Sequence, residues 1–414
     1  MTRTDRREQM ANIAILGYGT VGSGVYEVIK TNQAIVNNNA EEEVNIKYVL
    51  DLREFPGDPV EDILVHDYDV ILNDPEVSVV VEVMGGVEPA YTFVKNALLK
   101  GKSVCTSNKA LVAAEGPELI KIAKEKNVNF FFEASVGGGI PIIRPMKECL
   151  TADDILEVSG ILNGTTNYML TKMADEGWEF DKALKTAQDL GYAERDPSAD
   201  IEGYDACRKI AILTSLYSGK NTDFEQIYTE GITKISATDI KYAKEMKMVI
   251  KLVAISMKVE GGIAAMVCPV MLDRVHPLYG VNDVINAVFV KGNVLGPVMF
   301  YGSGAGKLPT ASAVVSDVVE AVKTKKNVYI GWDAEELSLV SVGSVKRSFF
   351  VRMSGTEADK LAQVEAVFGP VSCVKAAGVT GEFGFVTREM SEDDFNEKYK
   401  KLDGAITRIR VNQR

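Results

Sequence analysis

A glycine-rich loop near the start of the chain has the spacing of a phosphate-binding turn. Gly17, Gly19 and Gly22 form a G-x-G-x-x-G pattern between an apolar run and an amphipathic stretch. The first glycine permits a tight turn, the second lets the backbone approach a pyrophosphate, and the third lets a helix pack on a strand. Although an ordinary glycine turn is the alternative, a strand before and a helix after favour a dinucleotide site that includes Thr20 and Val21.

An acid and a base close the next apolar run. Asp51 ends the run IKYVLD, where a carboxylate would bind the adenosine ribose hydroxyls of NAD. Arg53 follows two residues later and could instead hold the 2′-phosphate of NADP. The acid lies further from the loop than the ~20 residues usual for this motif, because segment 31–44 is interpreted as an insert. The pattern predicts NAD or NADP without choosing between them.

Residues 191–210 bring together acids and a lysine, the residue types that could move a proton. Glu194, Asp200 and Asp205 precede Lys209 in this segment. Asp205 and Lys209 lie four residues apart, which places them on one face of a helix. An alcohol dehydrogenase chemistry needs such a group to give or take the carbinol proton. The alternative is an exposed salt bridge, and the spacing alone favours it because such pairs are common on solvated helices.

Two more segments place polar groups after predicted strands. Lys109 follows the run KSVCTSN, and ligands gather at the carboxyl ends of parallel strands, although an ordinary surface lysine is an equal alternative. Glu133 precedes glycine turns in the segment EASVGGGIPI. A carboxylate beside converging carbonyl oxygens could bind an alkali-metal ion, since hard cations take oxygen ligands. For this segment, a simple turn joining two domains is the favoured interpretation.

Composition excludes several classes of protein. The chain has 414 residues, 46% hydrophobic and 25% charged, as expected of a globular protein with two or three domains. Its net charge of −12 disfavours nucleic acid and anionic membrane surfaces as partners. No run of ~18 apolar residues and no signal-peptide core occur, so a cytoplasmic location is expected. Five scattered cysteines predict reduced thiols, and two histidines disfavour a zinc site or a histidine base.

Strands and helices that must position these residues alternate over the first third of the chain. Strands are expected at 12–17, 46–51, 77–86, 102–108 and 129–136. Helices are expected at 21–30, 90–100 and 117–126, the last with Pro117 in its first turn. Continuous apolar strands alternating with helices predict an α/β fold with a Rossmann-type parallel sheet.

The rest of the chain predicts two further domains. Beyond residue 147 the pattern mixes strands with long helices, including one expected at 237–251, as in an α+β domain. A glycine loop then feeds a helix, and the tail has the order β-α-β-β-α-β of a ferredoxin-like unit. The domains are expected at 1–146 completed by about 303–325, at 147–302, and at 345–414.

Seven stretches resemble the signatures of homoserine dehydrogenases, in the order found in that family. They are GYGTVGSG (17–24), EVMGGVEPA (82–90), TSNKAL (106–111), EASVGGGIPII (133–143), GILNGTTNYML (160–170), GYAERDPSADIEGYDACRK (191–209) and GSGAGKLPTAS (302–312). Because seven ordered stretches are far more specific than one glycine loop, the functional interpretations above become the favoured ones. The resemblance implies that L-aspartate 4-semialdehyde and L-homoserine are interconverted by hydride transfer with NAD(P)H, in the biosynthesis of threonine, methionine and isoleucine.

The resemblance also implies roles for individual residues. Lys209 matches the catalytic lysine that donates a proton to the alkoxide, and Lys109 matches a second lysine near the reacting oxygen. Matches to residues that hold the substrate or orient the lysine are Glu194, Asp205, Asp200, Tyr192 and Thr165. Those expected to border the nicotinamide are Gly191, Gly304 and Gly306. Matches to a structural sodium site are Glu133 and the carbonyls of Val136, Gly138 and Ile140.

The tail resembles an ACT domain, the module with which some members of the family sense threonine. Its first β–α turn, SGTEADKLAQ, lacks the Asp-x-Pro-Gly type of turn that builds an effector pocket. The tail is therefore expected either to bind threonine or only to stabilise a homodimer or homotetramer, with the middle domain as the dimer interface. Two other functions stay open: a different Rossmann oxidoreductase of a small hydroxy compound, and a non-catalytic sensor of dinucleotide and amino acid.

Overall fold

The computed structural model describes residues 10–412 of the chain. Its strands are β1 (Met10–Leu16), β2 (Glu43–Leu50), β3 (Leu64–Val65), β4 (Val77–Glu82), β5 (Ser103–Thr106), β6 (Phe130–Phe131), β7 (Ile155–Ile161), β8 (Lys220–Asn221), β9 (Tyr228–Thr229), β10 (Val249–Val259), β11 (Gly262–Leu272), β12 (Ile285–Gly292), β13 (Gly296–Ser303), β14 (Asp333–Glu336), β15 (Lys346–Ser354), β16 (Ser372–Val374), β17 (Glu382–Val386), β18 (Met390–Ser391) and β19 (Ala405–Asn412). Its helices are α1 (Thr20–Thr31), α2 (Gln33–Ala40), α3 (Tyr68–Leu72), α4 (Ala90–Leu99), α5 (Lys109–Lys126), α6 (Ala134–Gly137), α7 (Gly164–Glu176), α8 (Phe180–Asp189), α9 (Ser198–Ile201), α10 (Tyr204–Ser218), α11 (Ala237–Glu245), α12 (Lys307–Lys323), α13 (Glu357–Phe368) and α14 (Glu392–Tyr399).

One compact unit contains a parallel sheet. Its described residues are 10–153, 211–223 and 302–337. Six strands pair in the order β3-β2-β1-β4-β5-β6, each parallel to its neighbour. The order reverses next to β1, which is where an open parallel sheet binds its ligand. The predicted Rossmann-type sheet is therefore confirmed.

Helix α12 belongs to this unit although it follows the glycine loop late in the chain. It packs against α1 and against strands β4 and β5. The approach is close at Gly24, where an added Cβ would lie 2.8 Å from the carbonyl oxygen of Lys307. A side chain at position 24 would therefore separate the two helices.

The other unit contains a mixed sheet. It comprises residues 154–210, 224–301 and 338–412 of the described chain. Eleven strands form one sheet, with β13-β12-β7-β10-β11-β19-β15-β17-β16 along its path and β9 and β18 paired at the side. Because β11 pairs in parallel with β19, through Val270 and Arg410 among others, the tail's strands continue the sheet of the middle segment.

The tail has the element order that the sequence predicts. Strands β15, β16, β17 and β19 alternate with α13 and α14 as β-α-β-β-α-β, with the short β18 added before α14. The four strands pair antiparallel in the order β19-β15-β17-β16. Their shared apolar core includes Phe349, Phe385 and Phe395, each with no exposed surface. The chain therefore carries a ferredoxin-like unit at its end.

Two buried arginines join the tail to the middle segment within this unit. Arg410 on β19 is 1% exposed and pairs with Glu230, which follows β9, and with Glu392 on α14. Arg352 on β15 bonds both Asp239 on α11 and Glu382 on β17. Because removing one partner of such a buried pair costs roughly 3–5 kcal/mol, these contacts tie the two segments firmly.

Two local predictions in the first half of the chain, and one for a later helix, were wrong. Helix α5 begins at Lys109, capped by Asn108, so Pro117 lies inside the helix and not in its first turn. The strand expected at 129–136 is limited to β6, because Ala134–Gly137 turn into a short helix.

The helix expected at 237–251 ends at Glu245, and residue 251 lies in β10. The insert at 31–44 contains helix α2.

The domain boundaries expected near 146, 302 and 345 stay predictions. Over residues 10–412, no helix has both the length and the apolar composition needed to cross a bilayer.

Candidate active site

A cleft of about 560 Å³ opens beside the glycine loop in the unit with the parallel sheet. Four predicted cofactor-binding residues line it, together with a histidine and a methionine: Gly17, Gly19, Asp51, Arg53, His66 and Met84. The cleft lies where β1 and β2 end, at the side of the sheet where the strand order reverses. An open parallel sheet binds a dinucleotide at this place, so the position and the lining residues of the cleft match those of a dinucleotide site.

The glycine loop has the geometry that the motif requires. Gly17 has φ +95°, and an added Cβ on Gly22 would lie 1.9 Å from the Gly17 carbonyl oxygen. Gly19 is the N-cap of α1 and offers no side-chain bond, so Thr20 and Val21 begin the helix without a competing cap. The N–H groups of this first turn are therefore available to a phosphate.

Asp51 and Arg53 are bonded to each other at the rim of the cleft. The Asp51 carboxylate accepts hydrogen bonds from Nε and Nη2 of Arg53, both at 2.9 Å, and from the backbone N–H groups of Tyr18 and Arg53. The guanidinium holds the pKa of Asp51 well below its usual range. His66 Nδ1 lies 2.7 Å from the Asp51 carbonyl oxygen, a contact that raises the pKa of this histidine.

A buried acid secures the turn that carries Lys109. Glu82, which is fully buried at the end of β4, accepts a hydrogen bond of 2.6 Å from the Thr106 hydroxyl. Asn108 caps α5 and donates to the Gly86 carbonyl at 2.6 Å, and Lys109 is the first residue of the helix. Burial raises the pKa of Glu82. Glu82 was not among the site residues selected from the sequence, and the role of Lys109 stays a prediction.

In the unit with the mixed sheet, the Lys209 ammonium is buried. Its Nζ donates to Asp205 Oδ2 at 2.8 Å and to the Leu162 carbonyl at 2.7 Å. The side chains of Lys209 and Asp205 are 9% and 5% exposed. The pair is therefore not a solvated surface salt bridge, which was the alternative that spacing alone favoured.

Asn163 connects the acids of this cluster. Its Nδ2 donates to Asp200 Oδ1 at 2.7 Å and to Asp205 Oδ2 at 2.9 Å. Its Oδ1 accepts from the N–H of Thr166 and so caps α7. One amide thus orients two predicted site acids and starts a helix. Asn163 was not selected from the sequence, although Asn before Gly-Thr-Thr is a recognisable N-cap signal.

Three further predicted residues lie around this cluster. The Thr165 hydroxyl donates to the Tyr192 carbonyl at 2.5 Å, and the Tyr192 ring packs edge-on against Tyr168. Burial raises the pKa of Asp200, against the lowering effect of its bond from Asn163. Thr165, Tyr192 and Asp200 are therefore brought together with Lys209.

Glu194 and Gly191 are exposed and stand apart from these contacts. Of Glu194, only the backbone carbonyl takes a hydrogen bond from within residues 10–412, donated by Gln188. Its carboxylate is therefore open to a ligand. Gly191 has φ +74°, and a Cβ added to it would meet nothing within 4 Å.

The segment after Glu133 folds around that carboxylate. Oε1 accepts from the N–H groups of Ile142 and Ile143 at 2.6 and 2.7 Å, and Oε2 accepts from that of Arg144 at 2.9 Å. The N–H of Glu133 itself donates to the buried Asp317 on α12 at 2.9 Å. Burial raises the pKa of Asp317 to about 8. The Glu133 side chain is thus occupied by the protein.

The backbone carbonyls predicted to bind a metal ion differ from the Glu133 carboxylate in their hydrogen bonding. Val136, Gly138 and Ile140 are buried, and no backbone N–H within the described residues bonds their carbonyl oxygens. An added Cβ on Gly138 would lie 2.3 Å from the Gly304 carbonyl oxygen, and Gly306, with φ +112°, is the N-cap of α12. Buried oxygens without donors fit a hard cation.

Comparisons of the sequence with known families identify its relatives. The family model described as "Homoserine dehydrogenase, NAD binding domain" matches residues 17–133, and the model described as "Homoserine dehydrogenase" matches residues 141–319. The homoserine dehydrogenase of Bacillus subtilis is 38% identical over 410 residues, which cover 94% of each chain. That of Lactococcus lactis is 42% identical over 326 residues, covering 77% of this chain and 76% of the relative.

Solved structures agree with these relatives. The homoserine dehydrogenase of Thiobacillus denitrificans superposes with a TM-score of 0.88 at 34% identity, covering 98% of each chain. A hyperthermophilic archaeal homoserine dehydrogenase mutant, in complex with NADPH, superposes with a TM-score of 0.65 at 32% identity, over 76% of this chain and 98% of that one. With a dinucleotide cleft and a buried lysine–aspartate pair in the matched regions, the chain belongs to the homoserine dehydrogenases, a family of NAD(P)-dependent oxidoreductases.

Proposed function

We propose that Lys209 is the proton donor and acceptor in the interconversion of L-aspartate 4-semialdehyde and L-homoserine. The observation that carries this assignment is the burial of its ammonium between Asp205 Oδ2 and the Leu162 carbonyl. Two fixed acceptors hold Nζ in one position, as a general acid requires. The nicotinamide, when bound, supplies the hydride to the aldehyde carbon or takes it back.

In the direction of reduction, the aldehyde oxygen becomes an alkoxide, and the Lys209 ammonium gives it a proton. Asp205 keeps the ammonium in place and stabilises its charged form through the 2.8 Å contact. In the reverse direction, neutral Lys209 takes the proton from the hydroxyl of homoserine. The lysine therefore changes its protonation state once in each turnover, and solvent restores it.

The acids near Lys209 suit the ammonium of an amino-acid substrate. Glu194 has an exposed carboxylate that no residue within 10–412 bonds, and Asp200 is held by Asn163. These charges would attract a substrate ammonium and orient its side chain toward Lys209. The Thr165 hydroxyl and Tyr192 are assigned to the same substrate site on the basis of their contact.

Replacing Lys209 by alanine tests the assignment. Lys209→Ala should lower kcat for L-homoserine oxidation by about 10²-fold or more, because no group replaces the proton acceptor. The rate of nicotinamide reduction is measured with NAD and with NADP, beside a titration of dinucleotide binding. Binding should change little, since the glycine loop lies in the other unit.

The matched control is Lys185→Ala, which removes another lysine spaced four residues from an aspartate. That pair, with Asp189, is 70% and 60% exposed. Lys185→Ala should therefore leave the rate of nicotinamide reduction unchanged. Turnover retained in Lys209→Ala, or turnover and dinucleotide binding lost together, would argue against proton transfer by Lys209.

Asn163→Asp tests whether the amide positions the acids. The new carboxylate can still accept the hydrogen bond that caps α7. It replaces the N–H donor to Asp200 and Asp205 by a negative charge, which should raise the pKa values of these two acids. We expect kcat to fall about tenfold or more and the acidic limb of its pH profile to move upward. A melting temperature near that of the original protein, together with an unchanged pH profile, would show that the amide has no positioning role.

Arg53 is proposed to favour NADP over NAD. It occupies both oxygens of Asp51, so the acid is not open to ribose hydroxyls, while its own side chain is 61% exposed at the cleft. A guanidinium suits a phosphate because it donates two parallel hydrogen bonds. The archaeal relative has been solved in complex with NADPH, which supports NADPH as a ligand of this cleft.

Arg53→Ala should reverse this preference. With the guanidinium gone, Asp51 would repel the 2′-phosphate and accept from the ribose hydroxyl, so the ratio of kcat/KM for NADP to that for NAD should fall about tenfold or more. Lys121→Ala, on the exposed side of α5, is the control. An unchanged ratio in Arg53→Ala would refute this role of the arginine.

A sodium ion is proposed at the segment after Glu133. The buried carbonyls of Val136, Gly138 and Ile140 would hold it, with Glu133 close by. Carbonyl oxygens alone are suited to such an ion, and no group of three His, Cys, Asp or Glu side chains within the described chain forms a metal site. Its role would be structural: it would secure the segment that packs on Gly304.

Self-association into a dimer or tetramer is proposed through the edge of the mixed sheet. Strand β13 ends the sheet and exposes Met299 and Tyr301, two residues apart on one face of the strand, at 43% and 57%. Contiguous apolar side chains on a sheet edge favour pairing with another chain.

Met299→Asp tests this interface. A buried charge at a subunit contact would weaken association, so the mass measured by light scattering should fall toward that of one chain at low concentration. Ile35→Asp places the same charge at a 61% exposed apolar residue on α2 and should leave the mass unchanged. Equal masses for both variants would exclude β13 as the interface.

A further inference from the structure

Another buried lysine lies in the mixed-sheet unit, and no step described above uses it. Lys251, on β10, is 2% exposed. Its Nζ donates to the Val281 carbonyl at 2.7 Å and to the amide oxygens of Asn167 and Asn282, both at 2.9 Å. All three acceptors are neutral groups. Because a buried charge without a carboxylate beside it is costly, this lysine has a role other than the pairing of charges.

The three hydrogen bonds join two distant segments of the chain. Asn167 lies in the first turn of α7, whereas Val281 and Asn282 come shortly before β12. Asn167 also donates through its Nδ2 to the carbonyls of Val281 and Ile285, at 3.2 and 2.9 Å. Lys251 and Asn167 together therefore fasten residues 281–285 to the beginning of α7.

Residues 281–285 in turn touch the N-terminus of α7. A Cβ added to Gly164 would lie 2.8 Å from the carbonyl oxygen of Val284, so the two backbones are in contact there. On one side of Gly164 is Asn163, which bonds two acids of the proposed substrate site, and on the other is Thr165 of the same site. The place of residues 281–285 therefore bears directly on the place of Asn163 and Thr165.

We propose that Lys251 is a positioning residue for the oxidoreductase reaction: it holds residues 281–285 against α7 and so keeps Asn163 and Thr165 in place. This role rests on the proposed assignment of the substrate site around Lys209. An ammonium is required because three oxygens accept from Nζ, and a neutral amine has only two N–H donors. The third oxygen would then face the nitrogen lone pair, and the segment would move away from it.

Burial and two acids set the protonation of this lysine. Burial lowers the pKa of Lys251 to about 8, while Asp175 on α7 and Asp283 act in the opposite direction. Asp283 also pairs with Lys172 of α7 at 3.4 Å, and the β11 residue opposite Lys251 is the apolar Val270. The charged residues of α11, which also packs on β10, are not among the causes of this shift: Asp239, Lys241, Lys244 and Glu245. The lysine therefore carries its charge at neutral pH and loses the third donor as pH rises through about 8.

Lys251→Met keeps the length of the side chain and removes the ammonium. We expect kcat/KM for L-homoserine to fall about tenfold or more, because the substrate site loses its support, while KM for the dinucleotide changes less than about twofold. The dinucleotide is little affected because the glycine loop lies in the other unit. Lys258→Met is the matched control, since Lys258 lies on the same strand, is 39% exposed and pairs with Asp154. It should keep both values of the original protein.

Two variants that retain the lysine test the same role through pH. In the original protein, kcat/KM for L-homoserine should fall as pH rises through about 8. Asn282→Asp puts a carboxylate at an acceptor of Nζ, so the midpoint of this fall should move upward by about one pH unit. Asp283→Asn removes an acid that raises the pKa of Lys251, so the midpoint should move downward. Asn293→Asp, at an exposed asparagine outside these contacts, should leave it in place.

Equal kcat/KM for L-homoserine in Lys251→Met and Lys258→Met would overturn the proposal, as would one common pH midpoint in Asn282→Asp and Asp283→Asn. Should Lys251→Met fail to fold, the two charge variants decide. The reaction itself is tested by turnover of the original protein and its loss in Lys209→Ala, so a failure of the Lys251 role would leave that assignment standing.

Discussion

The Lys209 ammonium lies where an unpaired charge would cost several kcal/mol, so the surrounding structure must supply acceptors. Asp205 provides one from the same helix, one turn earlier, and Leu162 provides another from the end of β7. Asn163 then satisfies Asp205 and starts α7 with the same side chain. Residues from the ends of strand β7, helix α7 and helix α10 therefore meet at one buried cation. Such a fixed ammonium is also what proton transfer requires, so the stabilising contacts and the proposed chemistry share the same atoms.

The mixed sheet gives this cluster a continuous support. Its central strands are buried on both faces, and β7 sits between β10 and β12. The tail extends the same sheet through β11 and β19, and Arg410 and Arg352 lock the joint with buried ion pairs. The ferredoxin-like tail thus belongs to the same sheet as the middle segment, which contains β7.

Much of the fold was predictable because it rests on local pattern. Apolar runs alternating with helices indicated the parallel sheet, and the β-α-β-β-α-β order of the tail was also found. The errors arose where local pattern is ambiguous. Pro117 indicates a helix start, yet α5 already begins at Lys109, and the segment expected to be helical at 237–251 is a strand from Val249. At α5 the Asn108 cap starts the helix before Pro117, whereas the apolar segment Val249–Val259 forms a strand because it pairs with β7 and β11.

By itself, the sequence determined the glycine loop, the i,i+4 spacing of Asp205 and Lys209, and the family to which seven ordered stretches belong. These features depend on residues close together in the chain, whose relative positions the backbone largely dictates. Only the tertiary structure decided that the lysine pair is buried and that Asn163 joins two acids 37 and 42 residues away. Burial and long-range hydrogen bonds arise from the packing of distant segments, and neither residue type nor spacing contains that information.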